Sequence, residues 1–349
     1  MLRPLEGKSL RKRLELFGRR VLVALFGFFR SKRQGELLVP SRPRLLVLRL
    51  DERLGNVIML TPLLCSLRAR FPDASIEVLG SARSRALLEG HPAVDEFLQF
   101  RKRALFASDG PLRTCFALRR RGYSVAIDAS NPTDPSLTQA ILTAASGAEF
   151  TVGSAARGYG GFFTHPVQPD PAARHEIDHR LNLLSPLPGE QQIRTPSLAA
   201  DPRAVEVDEP YVVLNVGARL LEKRLSVEEY ASVAEVCAGF RPVVLTWGPG
   251  EFDLAQAVAS RCENAVTAPA TGLDELAVVL GGADAVVSCD TGPMHLAVAL
   301  GRPTLGIFVA TDPARYGYPD APHAVLDARG GWDEVSGTVE DWLAGELVS

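Results

Sequence analysis

Ala285–Phe308 leaves this chain little choice of fold. An apolar run, Ala285-Val286-Val287, leads through a polar turn, Asp290-Thr291-Gly292-Pro293-Met294-His295, and a short helix into a second apolar run. A strand that returns through a helix to another strand makes a parallel crossover, and a short apolar run suits a strand buried on both faces. Thr291 is placed to cap the helix, Pro293 is tolerated in its first turn, and Gly301 with Pro303 ends it. The turn offers backbone N–H groups at the positive end of a helix dipole, with no side chain at Gly292, which suits a phosphate or diphosphate. Asp290 would repel a phosphate, so a hydroxyl-rich portion is expected beside it. A sugar nucleotide carries both.

The same alternation runs through most of the chain. Leu45–Leu48, Ile76–Leu79 and Val125–Asp128 read as strands; Val57–Arg70 and a basic segment near Leu112–Arg121 read as helices. Residues 185–210 are Pro-rich and aperiodic, as a linker would be. A second series follows: strand Tyr211–Asn215, helix Val227–Gly239, strand Val243–Thr246, and helices Phe252–Ser260 and Leu273–Leu280 ahead of the Ala285 unit. Two βα series predict an α/β protein with two doubly wound parallel-sheet domains facing a cleft. Trp332–Leu347 reads as a final helix, expected to pack back across the first domain.

A chain of 349 residues, 46% hydrophobic and 23% charged, is long enough for two such cores. Its net charge of −3 hides an asymmetry: residues 1–35 carry ten Lys/Arg and two Glu, net +8, leaving −11 on the rest. An acidic body excludes charge-driven nucleic-acid binding. Within the basic segment Leu10, Leu14, Phe17, Val21, Leu25 and Phe28 form one helical stripe, with Lys8, Arg11, Lys12, Arg19 and Arg30 largely opposite. The apolar run Val21–Phe29 is far short of the ~20 residues that span a bilayer, and Arg30-Ser31-Lys32-Arg33 follows it where a signal peptide would have a cleavage site. An amphipathic anchor on an anionic cytoplasmic leaflet is the expectation, with a helix docked on the body or a basic leader as alternatives. Cys65, Cys115, Cys237, Cys262 and Cys289 lack C-x-x-C spacing and read as reduced thiols.

His175-Glu176-Ile177-Asp178-His179 matches H-E-x-x-H, which would put two zinc ligands on one helix face. Pro186-Leu187-Pro188-Gly189 bars a third ligand at Glu190, and Ile177, Leu181 and Leu184 make an ordinary apolar face, so no metal is expected. Gly158-Tyr159-Gly160-Gly161 has neither the preceding strand nor the spacing of a dinucleotide fingerprint and reads as a mobile loop. The stretch Arg49–Asn56 follows the first strand at the carboxyl end of a parallel sheet, where ligands bind, and offers Asp51 and Glu52 as carboxylates. The second series opens on Asn215-Val216-Gly217-Ala218-Arg219, then Glu222-Lys223-Arg224: a Gly turn and cations suited to a diphosphate, Lys223 as a point charge and Arg224 or Arg219 as a fork. Trp247-Gly248-Pro249-Gly250-Glu251 again sets a Gly-rich turn and a carboxylate after a strand.

These pieces together resemble glycosyltransferase family 9, the ADP-heptose:lipopolysaccharide heptosyltransferases. The match is carried by Leu45–Arg49 with Gly55-Asn56 and Thr61-Pro62, Phe71-Pro72-Asp73-Ala74, His91-Pro92-Ala93-Val94-Asp95, Gly217-Ala218-Arg219 with Lys223-Arg224, Trp247–Glu251, and Asp290–His295 with Thr311-Asp312-Pro313. The resemblance implies a GT-B fold: a basic segment over 1–40, an acceptor domain over 41–188, a linker over 189–210, a nucleotide-sugar donor domain over 211–330 and a helix over 331–349. It implies inverting transfer of heptose from ADP-heptose to a lipid-linked glycan, without metal or other cofactor, at the inner face of the cytoplasmic membrane. By resemblance the Thr291-Gly292 amides and Lys223 hold the diphosphate, Glu251 the nucleoside, and Asp290 with His295 the sugar. The family carries Gly-Asp in the first loop, the Asp as general base; here the pair is Gly55-Asn56 in a loop one residue longer. An amide is no base, so Asp51 or Glu52 takes the role, or transfer is slow, or the protein binds without turnover. Asp51 is the favoured base, and another nucleotide sugar is an open alternative to ADP-heptose.

Overall fold

The computed structural model describes residues 37–102, 110–198, 209–332 and 334–348; the basic stripe over 1–35 lies outside them. The first sheet comprises β1 (Arg44–Arg49), β2 (Ser75–Gly80), β3 (Glu96–Gln99), β4 (Val125–Asp128), β5 (Phe150–Ser154) and β6 (His165–Val167). The second comprises β7 (Val212–Asn215), β8 (Val243–Thr246), β9 (Ala265–Thr267), β10 (Ala285–Cys289), β11 (Thr304–Phe308) and β12 (Ala324–Asp327). All neighbours are parallel, in the orders β3-β2-β1-β4-β5-β6 and β12-β11-β10-β7-β8-β9. Counted from its own first strand, the second sheet repeats the order of the first. Each reverses direction of strand addition once, between β1 and β4 and between β7 and β10, and the loops leaving those strands are where an open α/β sheet binds ligand.

The helices that position the site are α1 (Leu54–Ile58), α2 (Thr61–Arg70), α3 (Ala82–Leu88), α4 (Pro111–Arg119), α5 (Leu137–Ala145), α6 (Glu176–Leu181), α7 (Val227–Ala238), α8 (Phe252–Ala259), α9 (Leu273–Gly281), α10 (Gly292–Ala299), α11 (Pro313–Tyr316) and α12 (Val335–Leu347). The single helix expected over Val57–Arg70 is two, α1 and α2. Pro62 has no N–H to give the Ile58 carbonyl, and the Thr61 hydroxyl takes its place at 2.8 Å.

Two further expectations are corrected. The final helix packs on the second domain, with Val335, Val339 and Leu343 in that domain's core, because its apolar face meets the α7 side of the second sheet. The Gly158–Gly161 stretch is a 3-10 turn, Ala156–Phe162, pinned by buried Tyr159 and Phe162. Within the stretch read as a linker, Ile193 N–H donates to Ser66 Oγ at 2.8 Å and Ser197 N–H to Thr61 Oγ1 at 3.0 Å, strapping residues 191–198 to α2.

The two sheets share a core at the base of the cleft. Leu296, Ala297 and Leu300 of α10 join the same buried cluster as Val57, Ile58 and Leu60. Two glycines permit this approach. A Cβ on Gly292 would lie 2.9 Å from Leu54 Cδ2, and one on Gly55 would lie 3.0 Å from His295 Nε2. Helices α1 and α10 therefore touch backbone to side chain in both directions.

Candidate active site

The second-domain wall is built from the ends of β7, β8 and β10. Gly217 turns the chain after β7 with φ +96, where a Cβ would lie 2.6 Å from Glu251 Oε1. Glu251 accepts from Arg224 Nη2 at 2.7 Å and from Gly248 N–H at 2.9 Å, tying the loop after β7 to the loop after β8. Arg224 Nη2 also donates to the Ala218 carbonyl at 2.9 Å. Trp247 gives its indole N–H to Ala268 O at 2.8 Å and packs its ring on Phe252, centroids 5.0 Å apart.

Asp290, only 5% exposed, is the hub of this wall. Its Oδ2 receives Lys223 Nζ at 2.6 Å and Thr311 Oγ1 at 2.6 Å, and its Oδ1 lies 3.6 Å from His295 Nε2. Burial works to raise the Asp290 carboxyl, but the hydrogen bonds and charge of His295, Lys223 and Thr311 outweigh it, and its pKa falls well below the carboxylate range. On the other side of the ring, His295 Nδ1 pairs with Tyr318 Oη at 2.8 Å. Thr291 stands at the N-cap of α10 without capping by its side chain; its hydroxyl turns instead to Ser288 Oγ at 3.1 Å and Asn215 Nδ2 at 3.4 Å. That rotation leaves the first-turn amides around Gly292 facing the cleft without a local side-chain acceptor.

The first-domain wall is the loop after β1. Asp51 accepts from Asn56 Nδ2 at 2.7 Å, from Arg53 N–H at 2.9 Å and Nε at 3.2 Å, and lies 3.4 Å from Arg49 Nη2. Burial pushes the Asp51 carboxyl up, but the Arg49 guanidinium and the Arg53 hydrogen bonds win and hold it below its ordinary value. Arg49 is fully buried and gives Nη1 to Ala129 O at 2.8 Å; burial and the nearby Arg180 bring its pKa down to about 9. Glu52 is exposed and its side chain is not part of this cluster. Of the two carboxylates, Asp51 is the one the fold organises.

The H-E-x-x-H match has a different use from the zinc reading. His175 has non-helical φ −79, ψ 144 and caps α6 by accepting the Ile177 N–H at its Nδ1, so it does not share a helix face with His179. Among the described residues no group of three or more metal-ligating side chains is found. Glu176, 1% exposed, reaches across the cleft to Arg315 of α11, Nε at 2.8 Å, with Nη2 also bound, and lies 3.4 Å from Arg180 Nη1. The ring of His175 meets that of Tyr318 edge-on, centroids 5.6 Å apart. Burial lowers His175 to about 4, so it is neutral at physiological pH. Sequence reasoning missed the roles of Glu176, Arg180, Arg315 and Tyr318. Only the Glu176–Arg180 spacing of four hinted at a pair.

The α1–α10 contact brings the two walls together: the Asp51–Asn56 loop enters the helix whose Gly55 abuts His295, the last residue of the Asp290 motif. Compared with known proteins, residues 112–327, more than half of the chain, match the profile of Glycosyltransferase family 9 (heptosyltransferase). Lipopolysaccharide heptosyltransferase 3 of Escherichia coli is 25% identical over 289 residues, 74% of this chain and 81% of that protein. Lipopolysaccharide heptosyltransferase 1 of Pseudomonas aeruginosa is 39% identical over a shorter stretch of 116 residues, 33% of this chain and 31% of its own. In three dimensions, E. coli heptosyltransferase WaaC with ADP superposes with a TM-score of 0.72 at 20% identity, over 86% of this chain and 99% of WaaC. That likeness identifies the pair of sheets as a GT-B fold.

Proposed function

The chain belongs to glycosyltransferase family 9, and from that premise we propose that it transfers a heptose, with inversion, from ADP-heptose to a sugar hydroxyl of a lipopolysaccharide core. It is a glycosyltransferase of the heptosyltransferase family; the donor, the acceptor and the residue roles are the proposal. The observation that carries it is the Gly55–His295 contact, which sets a carboxylate loop of one domain against an anion-receptive helix end of the other.

Inversion at the anomeric carbon is a single displacement: the acceptor oxygen bonds to that carbon, the bond to the diphosphate breaks, and one proton leaves the acceptor. The Thr291-Gly292 turn and Lys223 receive the departing diphosphate, the helix dipole and ammonium neutralising charge as it develops. Lys223 is already held by Asp290, 2.6 Å away, so Asp290 positions the cation and, with His295, faces the sugar side. Glu251 rigidifies the nucleoside side, where Trp247 and Gly217 line the turns. No step is assigned to a metal. Asp51 takes the acceptor proton. Asn56 cannot, but its amide donates to Asp51 at 2.7 Å and so orients the carboxylate from the position where the family has its own. The lipid-linked acceptor is confined to a leaflet, and the amphipathic stripe over 1–35 would raise encounter with it by tethering the enzyme to anionic lipid.

Steady-state turnover of Asp51→Asn and Asn56→Asp tests the reading. Loss of the base costs ~10²–10⁴-fold in kcat. Full turnover by Asp51→Asn would remove Asp51 from the reaction. Binding of several nucleotide sugars without turnover on any acceptor would favour a silent sugar-nucleotide binder, the reading Asn56 alone supports; turnover with another nucleotide sugar in preference to ADP-heptose would revise the donor.

A further inference from the structure

Strand β1 loses its partner on the β4 side just before the loop that carries Asp51. The β1–β4 register ends at Leu48 opposite Asp128, and the two strands part at the switch point. Beyond that point a side chain stands in for the missing strand. Gln139, 3% exposed in the first turn of α5, accepts the Leu50 N–H at its Oε1, 3.0 Å away, and donates through Nε2 to the Leu48 carbonyl at 2.8 Å and to Asp128 Oδ1 at 3.1 Å. Only one orientation of the amide satisfies all three, since a flipped amide would set its NH₂ against an N–H and its oxygen against two acceptors. The amide therefore has a determined direction, and it bonds both sides of the residue that precedes the loop's first turn.

We propose that Gln139 is a positioning residue for the acceptor-side carboxylate: it gives the Leu48 carbonyl, which accepts the Ala129 N–H at 3.1 Å, a second donor, extends the hydrogen-bond ladder of β1 by one group at the Leu50 N–H, and fixes where Asp51 emerges. The proposal rests on the reading of Asp51 as the base. Arg49 is anchored one step away, on the Ala129 carbonyl, so β4 and α5 grip the residues on both sides of Leu50's amide. Asp128, fully buried with its Oδ2 unpaired, is raised to about 6 and completes the grip by accepting from Gln139 and from Ser130 N–H at 2.9 Å. A loop held only by its own turn would let Asp51 drift, and about 1 Å of drift is worth about 10²-fold in a proton transfer that depends on alignment.

The test is a double-mutant cycle on the full chain between Gln139→Met, which keeps volume but removes all three bonds, and Asp51→Asn. Turnover is measured with ADP-heptose and acceptor, and ADP binding is measured separately by calorimetry. Gln139→Met is expected to lower kcat by about 10–100-fold with the ADP Kd unchanged, and to have no further effect on the residual rate of Asp51→Asn. Gln139→Glu keeps the acceptor for Leu50 N–H but sets its second oxygen against the Leu48 carbonyl and Asp128 Oδ1, and should not recover the loss. Equal, multiplicative losses in both backgrounds would overturn the proposal while leaving Asp51 as base; full turnover by Asp51→Asn would overturn the base reading itself. If Gln139→Met binds no ADP, Gln139→Asn, too short to reach Leu50, carries the same comparison against the unaltered protein, and an unchanged kcat in Gln139→Asn would also overturn it.

Discussion

Gly55→Ala is the sharpest perturbation of the cleft, because it adds one methyl where the two domains touch. That carbon would sit 3.0 Å from His295 Nε2 and 3.3 Å from Cγ, with Cδ2 nearer still. Non-bonded carbons rest at ~3.5–4.0 Å, so the imidazole and α1 must separate by roughly 1 Å. His295 cannot swing aside freely: Tyr318 holds its Nδ1 at 2.8 Å and Asp290 flanks its Nε2 at 3.6 Å. The strain therefore falls on the α1–α10 seam, at about 1–3 kcal/mol for overpacking. A seam opened by about 1 Å also displaces the Asp51 loop from the donor wall, which predicts about a 10²-fold fall in kcat. The assay is ADP release with saturating donor and acceptor, alongside thermal unfolding. Gly337→Ala on α12 is the control, since a Cβ there meets nothing within 4 Å, and it should leave turnover unchanged. A Gly55→Ala protein with wild-type kcat and unaltered Tm would refute the claim that this contact sets the cleft.

Lys223→Ala should weaken ADP binding about tenfold, about 1.4 kcal/mol, as read by calorimetry; an unchanged Kd would move the diphosphate away from the Asp290 turn. Glu176→Gln strips the 1%-exposed Arg180 of its carboxylate and severs the cross-domain link to Arg315, and should destabilise by about 3–5 kcal/mol, read as a fall in denaturant midpoint. Because Asp51 must be ionised to accept a proton and its pKa is depressed, activity should persist as pH falls to the ordinary carboxylate value, about 3.9, and fail below it; an acid limb near neutrality in kcat against pH would contradict that. The same sign applies to stability: the depressed Asp290 and Asp51 contribute above their unfolded values and lose that contribution as pH drops through their folded ones. Removing residues 1–35 should reduce partition onto anionic vesicles while leaving turnover on a water-soluble acceptor intact.

The sheets were legible because parallel strands buried on both faces write themselves as short apolar runs: Val125–Asp128 and Val243–Thr246 begin and end where the sequence places them. The glycine turns and the Asp290–His295 motif were legible for a related reason, since a helix starting after a strand exposes its amides wherever it occurs. What stayed hidden was every pairing across the cleft. Nothing local in Glu176 points to Arg315, which lies far along the chain, and nothing in the H-E-x-x-H spacing shows that His175 caps the helix. Tyr318 left no trace at all. Its partners, His295 and His175, come from helices of different domains, and only the folded domains bring them to one ring. Arg224 shows the same limit: the cation was visible, but Glu251 as its partner comes from another strand end.

The exchange at the first loop is best understood through charge. With an aspartate at position 56, its carboxylate would meet Asp51 at the distance where the Asn56 amide now donates, 2.7 Å, and two carboxylates so close cannot both be ionised. The amide removes that conflict and supplies a donor in its place, so Asp51 remains an anion with Arg49 and Arg53 around it. On the proposed reading of Asp51 as base, the amide therefore supports the carboxylate that does the work. It follows that Asn56→Asp should not improve the enzyme. It should raise the pKa of the carboxylate pair and bring an acid limb toward neutral pH, and an Asn56→Asp protein that turns over faster with no shift in its pH profile would show that position 56, rather than Asp51, carries the proton.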